Sequence, residues 1–131
     1  MHHLAALNQY QHIDVESRVN HCTPHMLIGM LYEGALKKIA LASGATRRGD
    51  VQVKGNAIGS ALRIIDSLRA ALDHERGGDV ADNLEALYSY MERRLLEANV
   101  KSDAALLDEV STLLQQIKSG WEAIPTEQRE G

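Results

Sequence analysis

The hydrophobic positions of this chain recur at helical spacing in four successive stretches, each introduced by a residue that can cap a helix. Thr23-Pro24 places a capping hydroxyl before a proline at the first helical position, where the missing N–H costs nothing. The first helix is therefore predicted from Pro24 to about Ser43. Gly44 follows and can take the left-handed conformation that ends a helix.

Aspartates introduce the other three stretches, and Gly77-Gly78 separates the second from the third. The predicted helices run from the cap Asp50 to about Glu75, from the cap Asp79 to about Asn99, and from the cap Asp103 to about Ile124. No strand-like alternation interrupts them. Because the connections are short, successive helices should pack antiparallel, and the predicted fold is an all-α four-helix bundle.

The two ends of the chain lack this periodicity. Residues 1–22 carry isolated apolar positions, such as Tyr10 and Ile13, among polar ones. This pattern is typical of an arm that packs on the body of a protein or is mobile. The bundle is predicted to span residues 23–124, and the polar residues 125–131 are predicted to form a frayed tail.

The first and second predicted helices have wider apolar faces than a helix of a simple bundle buries. The stripe of the second helix covers about 180° of its surface, against a typical width of ~100°. Its members are Ala57, Ile58, Ala61, Leu62, Ile64, Ile65, Leu68, Ala71 and Leu72. Either such helices are central in an irregular bundle, or part of their apolar surface is reserved for a partner.

Tyr88 and Tyr90 lie two positions apart on the third predicted helix, and thus about 160° apart around its axis. Tyr88 shares the apolar face of that helix. Tyr90 does not, so it is either a half-exposed surface tyrosine or part of a groove. In a groove, its ring would lie on the apolar wall and its hydroxyl in water.

Composition limits the classes of protein to which the chain can belong. Its 131 residues are 44% hydrophobic but only 4% aromatic, with no Phe. One domain with an aliphatic helical core is predicted. The net charge of −4 gives no overall attraction to nucleic acid or an anionic membrane. A single cysteine, no signal peptide and no long apolar run indicate a cytoplasmic protein without membrane insertion.

No pattern of catalytic or cofactor-binding residues emerges. None of the six histidines follows a Glu at the spacing that di-iron bundles use, and no phosphate-binding loop is present. His21, Cys22 and His25 lie close together but straddle a helix start, so a metal site is not expected. We predict a protein that is not an enzyme and has no cofactor.

Several segments together carry a specific resemblance across residues 10–124. They are Tyr10, Val15-Glu16-Ser17, TPHMLIGMLYEGAL (23–36), IIDSLRAALDHERGGDVADNL (64–84), LYSYMERRLLEANVKSD (87–103) and Trp121. In this order and spacing, the chain resembles the flagellar secretion chaperone family, FliS. Cys22 and Thr23 stand where the family often has Ala-Ser, and threonine caps as well as serine.

The resemblance implies an antiparallel four-helix bundle that binds the disordered C-terminal region of flagellin in the bacterial cytoplasm. It implies that the protein prevents premature polymerisation and delivers flagellin to the type III export apparatus without catalysis. It also implies that the N-terminal arm, with Tyr10, covers the binding surface when flagellin is absent. An anti-sigma factor and the export-gate protein are further partners that it suggests.

The excess apolar surface provides a hypothesis for the binding site. An amphipathic segment can lie in a groove that the second and third helices form. The predicted walls are Ile58, Leu62, Ile65 and Leu72 on one side and Leu87, Tyr90 and Met91 on the other. Leu87 and Met91 fit the core equally well. Tyr10 and Ile13 would be the anchors with which the arm covers this groove.

A homodimeric adaptor or regulator of flagellar assembly is the alternative function. It would bury the same wide stripes against a second copy of the chain. Both a monomer and a dimer are compatible with the residue patterns.

Overall fold

A computed structural model of the protein describes residues 23–124, which form four α-helices. The helices are α1 (Pro24–Arg48), α2 (Val51–Ala70), α3 (His74–Lys101) and α4 (Ala104–Glu122). α1 and α3 each pack against both α2 and α4, so the helices surround the core in chain order. The predicted all-α four-helix bundle is confirmed. Tyr10, Ile13 and the predicted tail lie outside the described residues.

Three of the predicted N-caps form as expected. The Thr23 hydroxyl accepts a hydrogen bond from the Met26 N–H at 3.2 Å. The carboxylate of Asp50 accepts from the Val53 N–H at 3.2 Å, and that of Asp103 from the Ala105 N–H at 2.9 Å. Each bond satisfies a backbone donor that the first turn of a helix leaves unpaired.

The predicted end of the first helix is wrong. Gly44 lies within α1, and the helix continues to Arg48. Gly49 ends it in the left-handed conformation, with φ of 75°, and donates to the carbonyls of Ala45 and Thr46. Since Ala45 is fully buried, the last turns of α1 still pack in the core, and this contact stabilises helix beyond Gly44.

The boundary between the second and third helices also differs from the prediction. α2 ends at Ala70, and α3 begins at His74. Asp73, not Asp79, is the cap, and it accepts hydrogen bonds from the N–H groups of Glu75 and Arg76 at 3.1 Å. The predicted break occurs at Gly78, where φ is 50° and ψ −124°, but it is a kink inside α3. Because the cap is Asp73, α3 begins with one additional turn, residues 74–77, before the kink; we call it the lead turn.

The core explains most of the wide apolar stripe of α2. Because α2 packs on both α1 and α3, its two edges face different neighbours. At one edge the Ile64 side chain approaches the position that a Cβ on Gly34 of α1 would occupy. At the other edge Leu62 is half-buried and packs against the core. Burial against these two neighbours accounts for most of the stripe, although α2 is no more central in the bundle than the other helices. Within residues 23–124, no helix combines the length and hydropathy needed to cross a bilayer.

Candidate partner-binding site

An apolar cleft of about 70 Å³ opens at the end of the bundle where α1 and α3 begin and α2 and α4 end. All four helices, together with the turn that follows α2, contribute side chains to it. The lining residues are Ile28, Tyr32, Leu68, Ala71, Leu72, Leu84, Tyr88 and Trp121. Three of the five aromatic residues of the chain, Tyr32, Tyr88 and Trp121, therefore converge here.

Two tyrosines form the floor of the cleft. Tyr32 and Tyr88 are each 1% exposed, and their hydroxyl oxygens lie 2.6 Å apart in a hydrogen bond. Burial raises the pKa of both phenols, and for Tyr88 the hydrogen bond to Tyr32 raises it further. The floor is therefore uncharged at neutral pH, and its polar atoms are already paired with each other.

Trp121 forms the wall that α4 contributes. Its ring stacks on the buried His25 ring at 4.4 Å, with an interplanar angle of 7°. Its Nε1 donates to the His25 carbonyl at 2.9 Å, and its ring meets Tyr32 edge-on at 6.4 Å. These contacts join the end of α4 to the first turn of α1. The indole is thereby held in one orientation beside the cleft.

Charged side chains surround the corner between α2 and α3, next to the cleft residues Leu72 and Leu84. Arg69 of α2 contacts Glu92 at 3.1 Å and Glu85 at 3.9 Å, both on α3. An apolar depression with a charged border is the usual arrangement of a protein-binding surface.

The size and lining of the cleft restrict what it can bind. Pockets for small-molecule ligands usually measure about 300–1,000 Å³, far more than this cleft. Its polar side-chain groups, two hydroxyls and an indole N–H, are all hydrogen-bonded within the protein. Among residues 23–124, no three His, Cys, Asp or Glu side chains are placed to hold a metal ion. The cleft is suited to receive one or two apolar side chains of another polypeptide.

The structure separates the seven side chains predicted to line a groove. Leu72 lines the cleft. Ile58, Ile65 and Met91 are at most 1% exposed and lie in the core. They cannot be walls of an open groove, because their side chains are buried in the hydrophobic core. This corrects the predicted placement of Ile58 and Ile65, whereas for Met91 the core was one of the two predicted placements.

Tyr90 contacts α4, which differs from its predicted place in a groove between the second and third helices. Its hydroxyl donates to Glu109 Oε2 of α4 at 2.9 Å, and the Arg94 guanidinium lies 5.6 Å from its ring centre. Arg94 Nε also donates to Glu109 Oε1 at 2.8 Å. Tyr90, like Leu62 and Leu87, is half-buried, so all three remain accessible in part.

Sequence reasoning missed Tyr32, Leu84 and Trp121 as site residues, and it placed Tyr88 only in the core. A signal for the aromatic residues was present, since the chain has so few of them. Large aromatic side chains dominate interface energetics, so their scarcity makes each position informative. Only the packing of four helices shows that three of them meet.

The chain is similar to proteins of one family over nearly its whole length. The family model described as flagellar protein FliS matches residues 6–128. Flagellar secretion chaperone FliSB of Pseudomonas aeruginosa is 49% identical over 124 residues, which cover 95% of this chain and 98% of that protein. Flagellar secretion chaperone FliS of Salmonella typhimurium is 43% identical, with 95% and 93% covered. The corresponding values for FliS of Vibrio cholerae are 39%, 93% and 90%.

Proposed function

The chain belongs to the FliS family of flagellar secretion chaperones, and we propose that it binds the disordered C-terminal region of flagellin in the bacterial cytoplasm. By covering apolar residues of that region, it prevents premature polymerisation. It then supports export of flagellin by the type III secretion apparatus. An anti-sigma factor and the export-gate protein are further partners under this proposal.

The end cleft is the observation that carries this proposal. Its tyrosine floor and aliphatic walls form a preformed apolar depression bordered by charged side chains. A disordered segment that becomes helical on binding presents apolar side chains at positions i, i+3 or i+4, and i+7. One such anchor enters the cleft, and the following ones contact the half-buried Leu62 and Leu87 along the bundle.

The affinity that follows from this mechanism is moderate. Ordering a disordered client costs several kcal/mol of the interaction energy. A chaperone that hands its client to a secretion apparatus must also release it, so moderate affinity suits this role. Preformed features such as the paired tyrosines lower the cost on the chaperone side.

The N-terminal arm competes with the client for the same surface in this proposal. The chain enters α1 beside the cleft, since His25, in the first turn, stacks on the lining residue Trp121. Tyr10 and Ile13 are the proposed anchors of the arm. Deleting residues 1–18 should tighten binding of a flagellin C-terminal peptide, whereas weaker binding would make the arm part of the site.

Two adjacent alanines provide a matched test of the cleft. Ala70 and Ala71 are both exposed, but only Ala71 lines the cleft. Ala71→Asp places a carboxylate at an apolar contact, where a client would desolvate it. We expect at least roughly tenfold weaker binding of a flagellin C-terminal peptide in titration calorimetry. Ala70→Asp, the control, should bind like the unmodified protein.

Two further measurements complete the test. Circular dichroism must show both variants folded, and Trp121, the single tryptophan of the chain, should change its emission when peptide fills the cleft. Equal affinities for the two variants would reject the cleft as the client site. A dimer in light scattering that ignores the peptide would favour the adaptor function instead.

A further inference from the structure

The lead turn of α3, residues 74–77, is folded closely against the helix that follows it. Gly78 joins the two parts with φ of 50° and ψ of −124°, a conformation that residues other than glycine rarely adopt. A Cβ on Gly77 would lie only 2.8 Å from the Ala81 Cβ. The corner between α2 and α3 therefore depends on whatever holds this lead turn in place.

His74 supplies such a contact through both of its ring nitrogens. Nδ1 lies 2.8 Å from Asp82 Oδ1, and Nε2 lies 3.4 Å from Glu85 Oε2. A neutral imidazole has one N–H donor and one acceptor nitrogen, whereas the protonated ring donates from both. Two carboxylates facing the two nitrogens therefore match the imidazolium form and disfavour the neutral one.

Other charged groups lie near His74, where α2 and α3 meet. Asp73 caps the helix immediately before it, and Arg69 of α2 reaches Glu85 at 3.9 Å. The hydrogen bond to Asp82 raises the pKa of His74, and the charges of Glu85, Asp82 and Asp73 raise it further. Arg69 competes for Glu85, so Asp82 is the main partner of the ring.

This contact joins two walls of the end cleft. Leu72 lies just before the lead turn, and Leu84 lies between the two carboxylates that His74 contacts. Holding residue 74 against residues 82 and 85 therefore holds Leu72 close to Leu84. Both leucines line the cleft on its α2–α3 side.

We propose that His74 is a proton-controlled clamp that, when protonated, fixes the α2–α3 corner and keeps the cleft in its binding-ready shape. This inference rests on the proposed function in taking flagellin as the occupant of the cleft. Because a preformed site binds more tightly, client affinity should fall as pH rises through the pKa of His74. The fall should reach at most about fivefold, the scale typical of exposed ion pairs.

Two substitutions at one position test the clamp. His74→Gln cannot be protonated, so its affinity for a flagellin C-terminal peptide should be low at both pH 6 and pH 8.5, relative to the unmodified protein at pH 6. His74→Arg stays charged and should bind tightly at both values. Titration calorimetry measures all three proteins. Should His74→Gln lose affinity with pH as steeply as the unmodified protein, the clamp is wrong.

A readout without the client separates this inference from the proposed function. Amide hydrogen exchange of residues 77–81, corrected for the intrinsic rate, should quicken from pH 6 to pH 8.5 in the unmodified protein but not in His74→Arg. Exchange that does not depend on His74 overturns the clamp. If exchange behaves as expected but the peptide does not bind at either pH, the proposed function fails and the clamp stands.

Discussion

The hydroxyl groups of Tyr32 and Tyr88 lie 2.6 Å apart in the core, although the two residues are 56 positions apart in the chain. They belong to α1 and α3, which are diagonal in the bundle and otherwise make few contacts. This hydrogen bond therefore connects opposite helices directly. It also forms the floor of the cleft, so it links the stability of the bundle to the shape of its candidate site.

Replacing Tyr88 by Phe should lower the free energy of unfolding by about 1–3 kcal/mol, because the Tyr32 hydroxyl loses its buried partner. The double variant Tyr32→Phe/Tyr88→Phe should cost less than the sum of the single changes, since it leaves no orphaned hydroxyl. Urea unfolding at pH 7 measures both. Additive single and double changes would contradict this energetic coupling.

Stability should fall steeply above pH 10. Burial raises the pKa of Tyr32 and Tyr88 in the folded protein, whereas an unfolded tyrosine titrates near 10. The stability from these groups is thus complete below pH 10, and it is lost as pH rises from there toward their folded pKa. Each contributes a slope of up to about 1.4 kcal/mol per pH unit. Urea unfolding between pH 8 and 11 should show a shallower fall in the double Phe variant.

Gly78→Ala should destabilise the protein by about 1–3 kcal/mol, because a side chain is strained at φ of 50° and ψ of −124°. Gly55→Ala is the matched control. It lies inside α2 with no atom within 4 Å of the new Cβ, and it should stabilise by up to about 1 kcal/mol. Thermal unfolding compares the two. A stabilising Gly78→Ala would mean that the kink at residue 78 is absent in solution.

Lys54→Met should cost about 1.5–3 kcal/mol despite its similar volume and greater hydrophobicity, because a charged donor is lost. Lys54 is 5% exposed, and its Nζ donates to the Asn99 carbonyl at 2.9 Å and to Ser102 Oγ at 2.7 Å. Those acceptors lie at the end of α3, where carbonyls lack helical partners. Lys37→Met on exposed surface should change little in the same urea measurement; an equal effect would deny Lys54 this capping role.

Much of the helical framework followed from local patterns. Thr23, Asp50 and Asp103 cap helices as predicted because a cap acts on donors two or three residues away. The helix boundaries predicted at Gly44 and Asp79 were wrong, because local signals do not act alone at these positions. Tertiary packing at Ala45 and an earlier cap at Asp73 outweighed local preference at those positions.

The candidate site was predicted less completely than the fold. Helical spacing placed the apolar residues of the second helix on one wide stripe. It did not show which edge of that stripe the neighbouring helices cover. Ile58 and Ile65 lie in the core, while Leu72, from the same stripe, lines the cleft. Tyr90 left the core face of α3 as predicted, but the side to which it turned depended on Glu109 of α4.

The sequence by itself determined the all-α class, the four helices of residues 23–124 and the family, since these depend on periodicity, caps and motifs read within a few neighbouring residues. Only the tertiary structure decided the cleft. Its contacts join residues 56 and 96 positions apart, such as Tyr32 with Tyr88 and His25 with Trp121. The physical reason is that each helix can be rotated about its axis without changing its own hydrogen bonds. Packing against the other three selects the rotation, and with it the side chains that meet.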